Sequence, residues 1–323
     1  MKNSEKIIEI LSPKNQLHLY GYNNEFNNFA NLYAKNRLPN AILLSGPKGI
    51  GKSTFLYHFI NFLLSSKEDN KYSLDNNKIN ESNISYNLVC NNMHPNVFLL
   101  ENESLDETIK VDNVRSLLKF LSKTTYNSNI KIVLIDNSEF LNINASNALL
   151  KSLEEHNLNT FFFLIHNSSS KILDTIKSRC VQFKYFLNIE EKKKIIGKLI
   201  NQYSVNISIA NVDELLFFES PGNILKYFSF FNESNENFLD DKLFAISFLI
   251  DKYKKSKDPQ VLSFITSMVE LFYNRLSIKN NKRLNIYFYN KSKILNSINK
   301  VKKFNLDKNN LFITLLGMIK NER

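Results

Sequence analysis

Apolar residues recur at helical spacing from the start of the readable pattern. Phe26, Phe29, Leu32 and Tyr33 predict an amphipathic helix over Glu25–Lys35. Ala41–Leu44 is a short apolar run that predicts a strand, and Ser53–Leu64 returns to helical spacing with Phe55, Phe59, Phe62 and Leu63 on one side. Residues 67–92 are polar and Asn-rich and predict an inserted surface loop. Beyond it, Val97–Leu100 predicts a strand. Val111–Thr124 predicts a helix facing inward through Val114, Leu117, Leu118 and Leu121. Ile130–Ile135 predicts a buried strand rich in β-branched residues, Ala145–Glu155 a helix, and Thr160–Ile165 a second buried strand. Helices alternating with unbroken apolar strands predict an α/β layer: a parallel sheet with helices on both faces.

After Phe186 the strand signal fades. Glu190–Gln202 spaces Ile195, Ile196, Leu199 and Ile200 for burial on a helix, and helical character continues to about Phe231. The polar stretch Asn232–Glu236 reads as a linker. Asn237–Arg323 reads as an all-helical bundle, with Leu243, Ile246, Leu249 and Ile250 on one helix and Ile265, Met268, Val269 and Phe272 on another. The expected class is α/β followed by all-α, divided into residues 1–186, 187–234 and 235–323.

Composition narrows this picture. The chain has 323 residues, 43% hydrophobic and 23% charged, as expected for two or three domains with real cores. No apolar run is long enough to span a bilayer, and Met1–Leu11 lacks the apolar stretch of a signal peptide. Two cysteines, Cys90 and Cys180, give no disulfide framework, so a cytoplasmic location is the default. The net charge of +11 is unevenly placed. Asp251–Arg323 holds 16 basic and 5 acidic residues, leaving 26 of each sign in the first 250. Lys252, Lys254, Lys255 and Lys257, and Lys300, Lys302 and Lys303, fall between apolar helical positions, as on a solvated outer face.

The most specific chemical signal is Gly46-Pro47-Lys48-Gly49-Ile50-Gly51-Lys52-Ser53, followed by Thr54. It matches G-x-x-x-x-G-K-[ST] between a strand and a helix. Its glycines let backbone N–H groups converge on phosphate oxygens. Lys52 supplies a positive charge to the β- and γ-phosphates, and the Ser53 hydroxyl can ligate Mg²⁺. The helix start adds its dipole. A loop that keeps this shape without binding nucleotide is the competing reading. Ile132–Asp136 has the form of a strand ending in a carboxylate for the metal, which makes Asp136 a candidate Mg²⁺ residue. The residue after it is Asn137, and an amide cannot act as a general base. Glu139 could substitute only if the turn brings it round. An exposed acid at a helix start is the simpler reading.

Taken together, several ordered stretches resemble the bacterial DNA polymerase III clamp-loader subunits, a family of AAA+ proteins, and most of all those of the delta-prime type. They are His18–Tyr22, Arg37–Leu44 leading into the phosphate loop, His94–Val97, Ile109–Arg115, Asn144–Glu155 and Ser178-Arg179-Cys180. The resemblance covers residues 1 to about 230, and the rest fits by helical character and position. It implies an AAA+ nucleotide-binding module over 1–186, a helical lid over 187–234 and a helical collar over 235–323. Arg179 would be an arginine finger acting in trans on a neighbour's site, and Asn167 a polar sensor residue, although Asn167 also suits a plain turn.

The departures shape the functional expectation. The family often carries four zinc-binding cysteines where this chain has Cys90 and His94, so zinc is not expected. Cys180 reads as a small buried hydrophobe. Glu219–Asn223 lacks the lid Arg of the motor subunits, and Lys226 is a poor substitute. The expected role is a delta-prime-type stator in a holoenzyme that makes DNA. The chain would have no polymerase site of its own, would bind ATP or ADP with Mg²⁺, and would show weak or absent turnover. Its implied partners are the tau/gamma and delta subunits, the sliding clamp and, through the complex, primer-template DNA. A tau/gamma-type active ATPase and an unrelated P-loop kinase are the alternatives.

Overall fold

In the computed structural model the apolar runs pair side by side. The described residues are 12–101, 108–125, 130–154, 159–203, 213–231, 242–304, 308–320 and 322. They divide into two units, Met1–Val205 with Ser220–Asn223, and Asn206–Glu219 with Ile224–Arg323.

The first unit is built on five parallel strands: β1 (Ala41–Gly46), β2 (Val97–Leu100), β3 (Lys131–Ile135), β4 (Thr160–Asn167) and β5 (Val181–Lys184), in the order β2-β3-β4-β1-β5. Side chains alternate between the two faces with period two, so each strand feeds both sides of the core. On one face Ile42, Leu44, Ile132, Leu134, Phe161, Phe163 and Ile165 are buried together with residues of α1 (Asn23–Ala34) and α2 (Lys52–Leu64). On the other face Leu43, Val133, Ile135, Phe162 and Leu164 pack with α4 (Val111–Ser122) and α5 (Ile143–Glu154). The expected parallel sheet with helices on both faces is therefore present. The helix α7 (Ile189–Tyr203) follows the sheet and buries Ile195, Ile196 and Ile200.

Strand β5 was not legible in the sequence. It lies at the sheet edge and three of its four residues are exposed, so it carries no apolar run. Residues 67–92 also differ from expectation. They include α3 (Ile84–Cys90) and bury Tyr72, Ile79, Asn83 and Val89. Two of the polar side chains, Glu68 and Asn83, act as helix caps, while most of the others are exposed. The Glu68 carboxylate accepts the N–H groups of Ile84 and Ser85 at 2.9 and 3.1 Å, and Asn83 Oδ1 accepts that of Tyr86 at 2.7 Å. The short α6 (Asp174–Lys177) leads into β5.

The second unit contains α8 (Asp213–Phe218), most of α9 (Pro221–Phe231), α10 (Lys242–Ser256), α11 (Pro259–Lys279), α12 (Leu284–Phe304) and α13 (Lys308–Lys320). Ile246, Leu249, Ile250, Ile265, Met268 and Val269 are fully or almost fully buried, as their helical spacing predicts. Its core also holds a polar knot. The Tyr227 and Ser267 hydroxyls both donate to Glu219. Lys254, Lys255, Lys257 and Lys300 are exposed. The side chains of Lys302 and Lys303, and the expected linker Asn232–Glu236, lie outside the described residues.

Phe55 is fully buried in the first unit, with ring contacts to Tyr22, Phe26, Phe29 and Tyr185 at 5.3 to 6.1 Å. Phe55→Ala is expected to cost about 3–5 kcal/mol through lost burial and a residual cavity. Denaturant unfolding followed by a probe in the first unit checks this.

Candidate phosphate-binding site

The loop between β1 and α2 is shaped by close backbone approaches. A Cβ on Gly46 would lie 2.4 Å from the carbonyl oxygen of Tyr185, so only glycine fits there. Gly49 and Gly51 stand at φ +79° and +98°, the left-handed region. The Tyr22 hydroxyl donates to the Ile50 carbonyl at 2.8 Å and ties α1 to the loop. Tyr22 stacks edge-on against Phe55 and Tyr185. In the sequence Tyr22 stands out only as the end of the resembling stretch His18–Tyr22, because its contact with the loop links residues 28 positions apart.

Lys52 begins α2 and is buried, 6% exposed. Its ammonium donates to the carbonyls of Gly46 and Pro47 at 2.8 and 2.7 Å. The neighbouring Ser53 hydroxyl donates to Asp136 Oδ2 at 3.1 Å, and the Asn137 N–H to Asp136 Oδ1 at 2.8 Å. Lys52 and Ser53 are thus brought together with Asp136, 83 positions after Ser53 in the chain. Burial lowers the pKa of Lys52 to about 8, although the carboxylates of Asp136 and Glu139 oppose the shift. Burial raises the pKa of Asp136, against the hydrogen bonds from Ser53 and Asn137 and the charge of Lys52. Both groups are held where desolvation disfavours their charge. A phosphate anion would favour the charged lysine, and a cation the charged aspartate. Backbone N–H groups, an ammonium, a hydroxyl and a carboxylate form a donor set suited to a phosphate with its metal. Pro47, Lys48 and Gly49 are exposed and Thr54 is half-buried.

Glu139 departs from the expectation of an exposed acid at a helix start. It lies in the 3-10 turn Ser138–Phe140, is half-buried, and accepts the N–H of Asn167 at 3.2 Å. Asn167 ends β4 level with Gly46, and its Oδ1 accepts the Ser169 N–H at 3.2 Å in an Asx turn. The segment after α8 also reaches the loop. A Cβ on Gly49 would lie 2.3 Å from Ser220 Oγ and 2.9 Å from Asn223 Oδ1.

Arg179 is elsewhere. It precedes Val181, which pairs with Ile42 near the start of β1, whereas the phosphate loop begins after Gly46 at its end. Four residues at ~3.3 Å each separate those levels by about 13 Å. Arg179 Nε donates to Glu154 Oε1 at 2.5 Å and its Nη1 to the Thr175 carbonyl at 3.0 Å. Cys180 is buried in the apolar cluster with Leu149 and Ile176, and burial pushes its thiol up to about 12. Cys90 donates to the Lys14 carbonyl at 3.2 Å, and His94 Nδ1 accepts the Asn96 N–H at 3.2 Å.

The sequence profile of the family described as DNA polymerase III, delta subunit, matches residues 21–188, just over half of the chain. Among individual relatives, the DNA polymerase III subunit delta' of Pseudomonas aeruginosa is 40% identical over 44% of this chain and 42% of its own length. The subunit delta' of Buchnera aphidicola subsp. Acyrthosiphon pisum is 27% identical over 75% of this chain and 69% of its own. The DNA polymerase III subunit gamma of Buchnera aphidicola subsp. Schizaphis graminum is 31% identical over 53% of this chain and 44% of its own. The first of these matches therefore spans less than half of the relative's length.

Two outcomes follow from the site's geometry. Below about pH 8 Lys52 carries its charge, and above it the charge is lost. Affinity for ADP is therefore expected to fall between pH 7 and pH 9, by at most about tenfold per pH unit for one linked proton. Calorimetric titration across that range checks this, and Lys52→Met should bind weakly without that pH dependence. Gly49→Ala places a methyl against Ser220 at a strained φ and is expected to destabilise the first unit by about 1–3 kcal/mol, read by denaturant unfolding.

Proposed function

The chain belongs to the DNA polymerase III delta-subunit family, and we propose that it works as a delta-prime-type clamp-loader subunit in DNA replication. In this reading it joins tau/gamma and delta subunits in the cytoplasm and helps open a sliding clamp and close it on primer-template DNA. Residues 1–186 form the AAA+ nucleotide-binding module, residues 187–234 a lid, and residues 235–323 the collar through which subunits associate. Gly46–Thr54 and Asp136 hold ATP or ADP with Mg²⁺, and turnover at that site is weak or absent.

The observation that carries this reading is the separation of Arg179 from the chain's own phosphate loop. A guanidinium at the far end of the sheet cannot reach phosphates held by Lys52 in the same chain, yet it can be offered to a neighbour. There it would stabilise charge on the transferring phosphoryl group. Its ion pair with Glu154, 29% and 50% exposed respectively, holds it at the surface. The basic residues of the last quarter, such as Lys254, Lys255 and Lys257, are exposed, as on a solvated collar face that draws DNA only through screened charge.

The pairing of Ser53 with Asp136 also suits a gamma-type active ATPase. That second reading lacks a carboxylate directly after Asp136 and an arginine in Glu219–Asn223. Turnover separates the two. Brisk ATP hydrolysis by the isolated chain, abolished in Lys52→Ala, would overturn the stator reading. Arg179→Ala is expected to leave nucleotide binding by this chain intact and to slow the neighbouring site about a thousandfold in the reconstituted complex. Normal hydrolysis by that complex would remove the finger assignment.

A further inference from the structure

Three carboxylates collect at the carboxyl edge of the sheet: Glu101 one residue past β2, Asp136 one residue past β3, and Glu139 in the turn that follows. They are not equivalent. Asp136 takes the Ser53 hydroxyl, the bond expected of the acid that serves a metal. Glu101 is exposed and takes the Tyr57 hydroxyl of α2. Glu139 is half-buried and accepts the N–H of Asn167, whose register partner is Gly46 at the base of the phosphate loop. Neighbouring strands lie about 4.8 Å apart, so one hydrogen bond and one strand spacing separate this carboxylate from the loop.

The turn that carries Glu139 is fixed on the side that leads into it. Asn137 adopts a left-handed φ of +54° with its N–H on Asp136, and the Ser138 hydroxyl donates to the buried Ile165 carbonyl at 2.8 Å. A residue three positions after Asp136 is thereby turned back toward the site. The motif pattern looks for an acid directly after Asp136 and so passes over it.

Resting on the nucleotide reading of the phosphate loop, we infer that Glu139 is the general base of this site for a bound nucleoside triphosphate and water. The water oxygen bonds to the γ-phosphorus as the bond to the β–γ bridging oxygen breaks. The nucleoside diphosphate leaves, and the water's proton passes to the Glu139 carboxylate. The hydrogen bond from the Asn167 N–H aims the carboxylate.

Glu139→Gln is the test, because the amide oxygen can keep the bond from Asn167. With the full chain and Mg²⁺, binding of a non-hydrolysable ATP analogue is titrated and single-turnover ATP hydrolysis is timed. Affinity is expected to hold or to tighten a few-fold, since a negative charge near the phosphates is gone. Hydrolysis is expected to fall roughly 100-fold. A merely structural role would weaken binding as well, and that result overturns the assignment. Equal hydrolysis by variant and wild type, or binding by the wild type without hydrolysis, overturns Glu139 as base and leaves the nucleotide reading standing. Failure of the wild-type chain to bind the analogue overturns both.

Discussion

The parallel register of the sheet is the constraint on which the rest depends. Leu100, Ile135 and Leu164 lie level, and so do Gly46 and Asn167. Parallel strands end at one edge, so whatever follows each strand arrives in the same place. This gathers the phosphate loop after β1, Glu101 after β2, Asp136 after β3 and the Asn167 turn after β4. It also sends the residues before β5, including Arg179, to the opposite edge. One set of backbone hydrogen bonds therefore decides which charged groups meet and which stay apart.

Burial then sets the electrostatics of that edge. An ammonium inside a protein loses water and must be compensated by nearby oxygens. Lys52 has the carbonyls of Gly46 and Pro47 at bonding distance and two carboxylates nearby. Its charge is retained near neutral pH but only by a small margin, since its pKa lies at about 8. Such a lysine is poised to respond to a phosphate. The glycines of the loop serve this arrangement through space as much as through conformation, since the Tyr185 carbonyl and the Ser220 hydroxyl occupy the room a Cβ would need.

Membership of the DNA polymerase III delta-subunit family is consistent with a site of this kind. The loop carries Lys52 and Ser53 beside Asp136, while the position after Asp136 is Asn137 and the Glu219–Asn223 segment brings a serine and an asparagine to the loop. A neutral hydroxyl and amide there lack the charge with which an arginine would grip a phosphate. Polar side chains do comparable structural work in residues 67–92, where Glu68 and Asn83 cap α3.

By itself the sequence determined the class of fold and the place of the glycine-rich loop within it. Unbroken apolar runs leave few ways to hide except a parallel sheet covered on both faces, and Gly46–Ser53 requires a phosphate-loop conformation wherever a strand meets a helix. Helical spacing likewise located Ile246, Leu249, Ile265 and Met268 in a core. Tertiary structure decided what local pattern does not encode. Strand β5 forms because β1 offers it an edge, not because its own residues are apolar. The helix at Ile84–Cys90 forms because Glu68, 16 and 17 residues away, caps its first N–H groups. The Glu139 carboxylate meets the Asn167 N–H in a turn that Ser138 anchors on Ile165, a contact 27 residues distant, and no periodicity along the chain records a bond of that range.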